Sequence, residues 1–544
     1  MPCPGSPPGA LMRFWPALCA LALLALAGCQ SAPPLQRGGA AGLDDAELAP
    51  ALSASIHALA DNRNRPGPWA RSEAQHRRLL ADNLPRLLDA AEPPQPPAAD
   101  TPPDALLDPA ELDRITPVLR TRAKPAGLAR SGVGLPVVAR LPAPQDPNAP
   151  RAGYHLPATL VAQPARPAPG DLGRNDPGGL APAQTAPLPG VTAKPPTDPC
   201  CRAALVDPDA VQTLGTASAT LPVAMDLDAP LRATRATGVR PTAAIANLMR
   251  PGRFTGEPRI VFLQPFDADK MPVVLVHGLL STPGIWEPLV TRLLADPRLR
   301  DCCQLWFFYY PTGQPVPLSA LQLRDALDDA AHETGLNRRM LLIGHSMGGI
   351  LSRVQVSRLG PAQAQQILPG VADLSDYNRV RRALIFEPRT DVSRVVFLFV
   401  PHRGSQLAAN GFGALAIRLI RLPDTLLNET EHALNQLAGA ESRRLPTSIH
   451  GLSPRSPFLR TLSTTTPTVP VHSIIGNRGR GDGTRGSDGV VPVRSARLPV
   501  AESELIVPTG HGGFHHPDAV AEIKRIILLE DARQRAEDAG PPQG

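Results

Sequence analysis

The chain has 544 residues, 66 of them proline, and a formal charge of +6. Aromatic residues make up 4% and the arginines are dispersed, with no basic stripe and no interleaved aromatics. This excludes nucleic acid as a partner and leaves the positive balance as solubility, with at most weak attraction to anionic lipid.

The N-terminus reads as a targeting segment. Arg13 supplies a positive charge, and Phe14 to Leu26 is an apolar run too short to span a bilayer but suited to a signal h-region. It ends in Leu26-Ala27-Gly28-Cys29, which resembles a bacterial lipobox. The resemblance implies that residues 1–28 are a lipoprotein signal peptide and that Cys29 is acylated, in the manner of a palmitate-type anchor. Gln30 stands where a retention signal would want Asp, so the outer membrane is the expected location. No later apolar run is long enough to cross a bilayer, so the lipid would be the only anchor. Cys3 and Cys19 leave with the signal. The remaining cysteines form two adjacent pairs, Cys200-Cys201 and Cys302-Cys303, for which an exported protein is expected to make disulfides. Adjacent cysteines bridge each other only with strain, a cross-link between the pairs is the alternative, and the spacing does not choose. No Cys/His spacing of zinc type is present.

Residues 29–44 read as a flexible tether. In 45–91, Leu48, Leu52, Ile56 and Leu59 recur at helical spacing, and Arg77 to Leu88 forms a second run. Residues 92–257 are rich in Pro and Ala, with strand character at Leu135–Leu141 and Tyr154–Ala162, and read as irregular or as a small β-rich region. The character changes near Pro258. Strands are predicted at Val273–Val276, Leu305–Tyr310, Met340–Ile343, Val395–Val400, Val471–Ile475 and Leu505–Val507. Between them lie helices at Pro283–Leu294, Ser319–Glu333 and Ile350–Leu359, with a closing helix at Pro517–Leu529. This alternation predicts a mostly parallel sheet covered by helices on both faces over 258–530, with active groups at the carboxyl ends of its strands. Insertions fall at about 361–390 and 406–465. Residues 531–544 read as a disordered tail.

Gly344-His345-Ser346-Met347-Gly348 follows the Met340–Ile343 strand and precedes a helix, the context in which G-x-S-x-G is a nucleophile elbow. Ser346 is the candidate nucleophile, and it needs a base, an orienting acid and an oxyanion hole. Asp488, in Ser487-Asp488-Gly489, is the acid candidate, with Asp482 as competitor in the same Gly-rich run. His511, just after Leu505–Val507, is the base candidate; His515 and His516, against Pro517, read as helix-entry residues. The backbone N–H groups of Met347 and of Leu279, in His277-Gly278-Leu279-Leu280, are the candidate oxyanion donors, each typically contributing about 3 kcal/mol to transition-state stabilisation. His277 reads as structural. Trp286 is a candidate for the pocket wall or for helix packing.

Pro401-His402-Arg403-Gly404-Ser405 ends the Val395–Val400 strand. With the serine, the His-Gly turn and the Asp-Gly loop, the region 258–530 resembles the α/β-hydrolases of the lipase and esterase superfamily. It is most similar to the group with P-H-R-G-S after the sixth strand, which includes triacylglycerol lipase-like and GPI inositol-deacylase-like proteins. The resemblance implies an α/β-hydrolase fold and a carboxylic ester hydrolase with Ser346, Asp488 and His511 as its triad. It implies no metal or organic cofactor. Val400 departs from the small polar residue common at its position. Phe412–Leu437 has an apolar face at roughly helical spacing, broken by Pro423, and is a candidate lid or fixed cap within 406–465. The expected function is an envelope-anchored lipase or esterase acting on a lipid or other ester. The alternatives are an acyltransferase using the same triad, or a non-catalytic surface lipoprotein built on a hydrolase scaffold. Oligomeric state is left open.

Overall fold

Runs such as Met271–Val276 carry aliphatic side chains at successive positions, so both faces of the strand demand burial. The computed structural model describes residues 43–91, 106–119, 128–142, 154–164, 201–216, 219–237, 258–373, 375, 378–405, 451–479 and 486–539. The signal segment with Cys29, the lid candidate Phe412–Leu437, Cys200 and Asp482 lie outside the described residues.

The helical periodicity after residue 45 produces α1 (Asp45–Asn62), α2 (Pro66–Asp82) and α3 (Leu84–Asp89). Beyond them comes a five-stranded antiparallel sheet. Its strands are β1 (Leu106–Leu107), β2 (Arg114–Pro117), β3 (Leu135–Leu141), β4 (Tyr154–Pro164) and β5 (Cys201–Val206), in the order β1-β5-β4-β3-β2. Ile56 and Leu59 of α1 pack on Val161 and Val206. Glu73 of α2 fastens the helix to the sheet by accepting from the Gly132 N–H at 3.0 Å and the Ser131 hydroxyl at 2.9 Å. Helix α4 (Asp228–Thr237) also meets the sheet, where Ala229 joins Val118 and Val138.

The second sheet holds β6 (Arg259–Phe262), β7 (Met271–Val276), β8 (Cys303–Tyr309), β9 (Met340–His345), β10 (Val392–Leu398), β11 (Val471–Gly476) and β12 (Ser503–Val507). Their order is β6-β8-β7-β9-β10-β11-β12, and every neighbouring pair is parallel except β6–β8. Period-two alternation sends the strand side chains to two apolar layers. Val274, Leu342 and Val395 meet α6 (Val316–Thr334) and α7 (Met347–Gln355). Val273, Leu341 and Val396 meet α5 (Glu287–Leu294) and α8 (Pro517–Asp538). Helix α6 ends as its sequence predicts, on Gly335 in the left-handed conformation at φ 61°. Among the described residues no helix is long and apolar enough to cross a membrane.

Two expectations are corrected. The closing helix does not stop near residue 529: α8 runs to Asp538, with Glu530, Asp531 and Gln534 buried. Residues 531–538 are therefore ordered, because Asp531 accepts from buried Arg338 at 2.8 Å, and the Gln534 amide donates to the Arg339 carbonyl at 3.0 Å. Cys302 and Cys303 are unbridged thiols. Cys302 closes a short helix and Cys303 opens β8, and both sit in the apolar layer with Leu293 and Leu299. Residues before 257 keep an apolar cluster of their own around Ile56, Leu59, Val161 and Val206, and they also reach the second sheet. Tyr154 of β4 is buried in the same cluster as Phe262 and Trp306, and Arg300 grips Asp209 with two hydrogen bonds of 2.6 and 2.7 Å.

Candidate active site

The strand order reverses direction between β7 and β9, so the carboxyl ends of these two strands stand side by side with diverging connections, the usual place for a site in an open parallel sheet. Register pairs Val276 of β7 with Gly344 of β9, which brings the His277-Gly278 turn against the elbow. The approach is so close that a Cβ on Gly278 would lie 2.9 Å from the Ser346 Cβ.

Ser346 occupies the strand-to-helix turn at φ 54° and ψ −122°, a conformation a side chain adopts only under constraint. The constraint comes from three glycines with no room for a Cβ. One on Gly348 would meet the Val276 carbonyl at 2.1 Å, one on Gly344 the Gly349 Cα at 2.5 Å, and one on Gly349 the Val400 side chain at 2.0 Å. Val400, the departure from the family pattern, thus fills the space left by Gly349.

His511 lies in the loop after β12, 165 positions from Ser346, and its Nε2 is 2.9 Å from the serine Oγ. Its Nδ1 is 2.7 Å from Asp488 Oδ2. A carboxylate only accepts, so Nδ1 carries the proton and the neutral ring offers an Nε2 lone pair to the hydroxyl. The other carboxylate oxygen, Asp488 Oδ1, accepts from the N–H groups of Val490 and Val491, both at 2.7 Å. The carbonyl of Asp488 accepts from the His511 N–H at 3.1 Å. The Asp488 and His511 loops are therefore joined through both side chain and backbone.

Met347 is the first residue of α7, so its N–H has no partner within the helix and sits at the positive end of the helix dipole. The Leu279 turn is held from the segment after β8 by two residues that sequence reasoning missed. The Tyr310 hydroxyl donates to the His277 carbonyl at 2.7 Å, and the Leu280 N–H reaches Thr312 Oγ1 at 3.3 Å. Leu280 adopts φ 57° and is half exposed. Among the described residues no acceptor reaches the Leu279 or Met347 N–H.

The other histidines divide by role. His277 is fully buried, stacks on Tyr310, and is pushed down to about 4 by desolvation. His516 caps α8 by accepting from the Asp518 N–H at 3.3 Å. The Pro401–Ser405 turn is fastened to the segment after Asp488: the Ser495 hydroxyl donates to the Gly404 carbonyl at 2.7 Å, and the Ser405 hydroxyl to the Val490 carbonyl at 2.5 Å. Arg403 likewise donates to the carbonyls of Arg494 and Arg497. These residues hold a loop. Trp286 is fully buried against Phe514, 5.1 Å between ring centroids, and packs behind the site. Among the described residues no group of three His, Cys, Asp or Glu is arranged to hold a metal ion.

Residues 273–523 match the alpha/beta hydrolase family. This part of the chain has the alpha/beta hydrolase fold. No curated protein sequence matches the chain. Among solved structures, the mature form of the lipase BlEst2 from Bacillus licheniformis is similar at 18% identity, covering 50% of this chain and 99% of that one, with a TM-score of 0.29. EstA from Clostridium botulinum is similar at 14% identity, covering 50% and 90%, with a TM-score of 0.33. A monoacylglycerol lipase from Paleococcus ferrophilus is similar at 15% identity, covering 51% and 99%, with a TM-score of 0.28. The matched residues 273–523 make up a little under half of the chain, and the five-stranded sheet packs beside them.

Proposed function

We propose that the chain is a carboxylic ester hydrolase of lipase or esterase type, held at the bacterial envelope by a lipid on Cys29. The reading rests on one observation, the continuous line of hydrogen bonds from Ser346 Oγ to His511 at 2.9 Å and from His511 to Asp488 at 2.7 Å. In this mechanism the Ser346 oxygen attacks the ester carbonyl while its proton passes to His511 Nε2. Asp488 holds the ring and stabilises the imidazolium. The tetrahedral oxyanion is received by the N–H groups of Leu279 and Met347. The protonated imidazole then gives its proton to the departing alcohol, leaving an acyl group on Ser346. Water, deprotonated by the same nitrogen, attacks the acyl-enzyme and frees the acid. Leu280 and Val490, apolar and exposed beside the oxyanion turn and the acid, favour an ester with an apolar acyl group.

The test is labelling of the full-length protein with a fluorophosphonate. Labelling of wild type, with none of Ser346→Ala or His511→Ala at equal folded concentration, supports the reading. Labelling that survives in Ser346→Ala ends it. The anchor is tested separately: Cys29→Ser should move the protein from the membrane fraction to the soluble one.

A further inference from the structure

His345 immediately precedes the nucleophile, and its ring is buried in an apolar cage. Phe514, Phe399 and Trp286 surround it edge-on at centroid distances of 5.1, 6.1 and 6.3 Å. A phenyl or isobutyl group would suit such a cage better than an imidazole, because a buried polar atom without a partner costs free energy. Part of that cost is present: the Nδ1 of His345 is buried with no hydrogen-bond partner. The other nitrogen, Nε2, lies 2.9 Å from the main-chain carbonyl oxygen of His511. A carbonyl only accepts, so Nε2 carries the proton and donates. Burial pushes the ring down to about 3, so it stays neutral and in this tautomer.

His511 is consequently held at both main-chain polar groups. Its N–H is bound to the acid's own carbonyl at 3.1 Å, and its C=O to the neighbour of the nucleophile. The first contact places the base relative to the acid, the second relative to the serine. We infer that His345 is a positioning residue, whose Nε2–H bond to the His511 carbonyl sets the distance between base and nucleophile. Its ring also lies 4.9 Å, centroid to centroid, from that of His511, but its hydrogen bond goes to the main chain and not to the Ser346 hydroxyl or the His511 ring nitrogens. The inference rests on the triad reading above.

The experiment compares full-length wild type, His345→Phe, His345→Gln and His345→Asn, with Ser346→Ala as the control for the triad itself. Phe keeps the packing and removes the donor. Gln places an amide N–H near the same reach, and Asn falls short. For His345→Phe, kcat on a soluble ester should fall by about tenfold or more with KM within about twofold, since misplacement of about 1 Å is enough for such losses. His345→Gln should recover most of that loss, and the fluorophosphonate labelling rate should follow the same order. A residue that only fills space would give the reverse ranking, with Phe active and Gln impaired, and that result overturns the proposal. If His345→Phe does not fold, the amide pair decides: Gln above Asn supports the proposal, and equal rates overturn it. An active Ser346→Ala would instead indict the triad.

Discussion

The two ends of the seven-stranded sheet are built by opposite rules. At the amino end, charge is buried and paired. Arg394 is 3% exposed, yet its guanidinium donates to Glu530 at 2.8 Å, to Glu502 at 2.6 Å and to His472 at 2.6 Å. Glu530 is shared with Arg533 and Gln534 at 2.5 and 3.0 Å. At the carboxyl end, polar groups are buried and left half-used: His277, His345 and His402 each keep one ring nitrogen without a partner. The described non-glycine residues with positive φ, Leu280, Ser346 and Phe399, all lie there too. The amino end is organised to be stable. The carboxyl end holds strained and unsatisfied groups that the rest of the fold compensates, in keeping with the function proposed for it.

That contrast can be broken in order of expected effect. Asp488→Asn should lower kcat by about ten-thousandfold, since an amide favours the wrong imidazole tautomer. It should leave stability nearly unchanged, because the Val490 and Val491 N–H groups keep an oxygen to donate to. Paired ester kinetics and thermal melts check both halves. Arg394→Met should do the opposite: a loss of about 3 kcal/mol or more of stability, from removing one partner of a buried pair, with kcat unchanged for the folded fraction. Denaturant unfolding combined with active-site titration reads this, and a normal melt would show that the amino-end network is ornamental. Gly278→Ala should cost about a hundredfold in kcat, of the order expected for a misplaced oxyanion donor, because its Cβ would press on Ser346 at 2.9 Å. Unchanged kinetics would mean that the turn has slack.

The smallest effect is on pH. His277 and His345 are pushed from 6.5 to about 4 and about 3 by burial. Below 6.5 the unfolded chain takes up protons that the folded one refuses, so stability is lost as pH falls from 6.5 towards 4 and is unaffected by these groups above 6.5. Each group should add about 1.4 kcal/mol per pH unit to the slope over that window. Melting temperatures across pH 4 to 8 should show it, and His345→Gln should flatten the curve.

The chain sequence by itself was enough for whatever depends on neighbouring residues. The strand–glycine–serine–glycine–helix pattern specifies the elbow, because only glycine tolerates the approach of Val276 and Val400 there. Aliphatic runs specify buried parallel strands, and Gly335 specifies the end of α6. The candidates Ser346, Asp488 and His511 were legible because each sits in a Gly-rich turn after an apolar run. What depends on partners far along the chain was not legible. The order reversal between β7 and β9, Tyr310 and Thr312 beneath the Leu279 turn, and Tyr154 inside the core of the second sheet all arise from contacts between distant segments. The ordering of residues 531–538 depends in the same way on Arg338 and on the carbonyl of Arg339. His345 shows the division most plainly: its place beside the serine is written in the motif, whereas its hydrogen bond to residue 511 exists only because the folded sheet sets two loops at donor–acceptor distance.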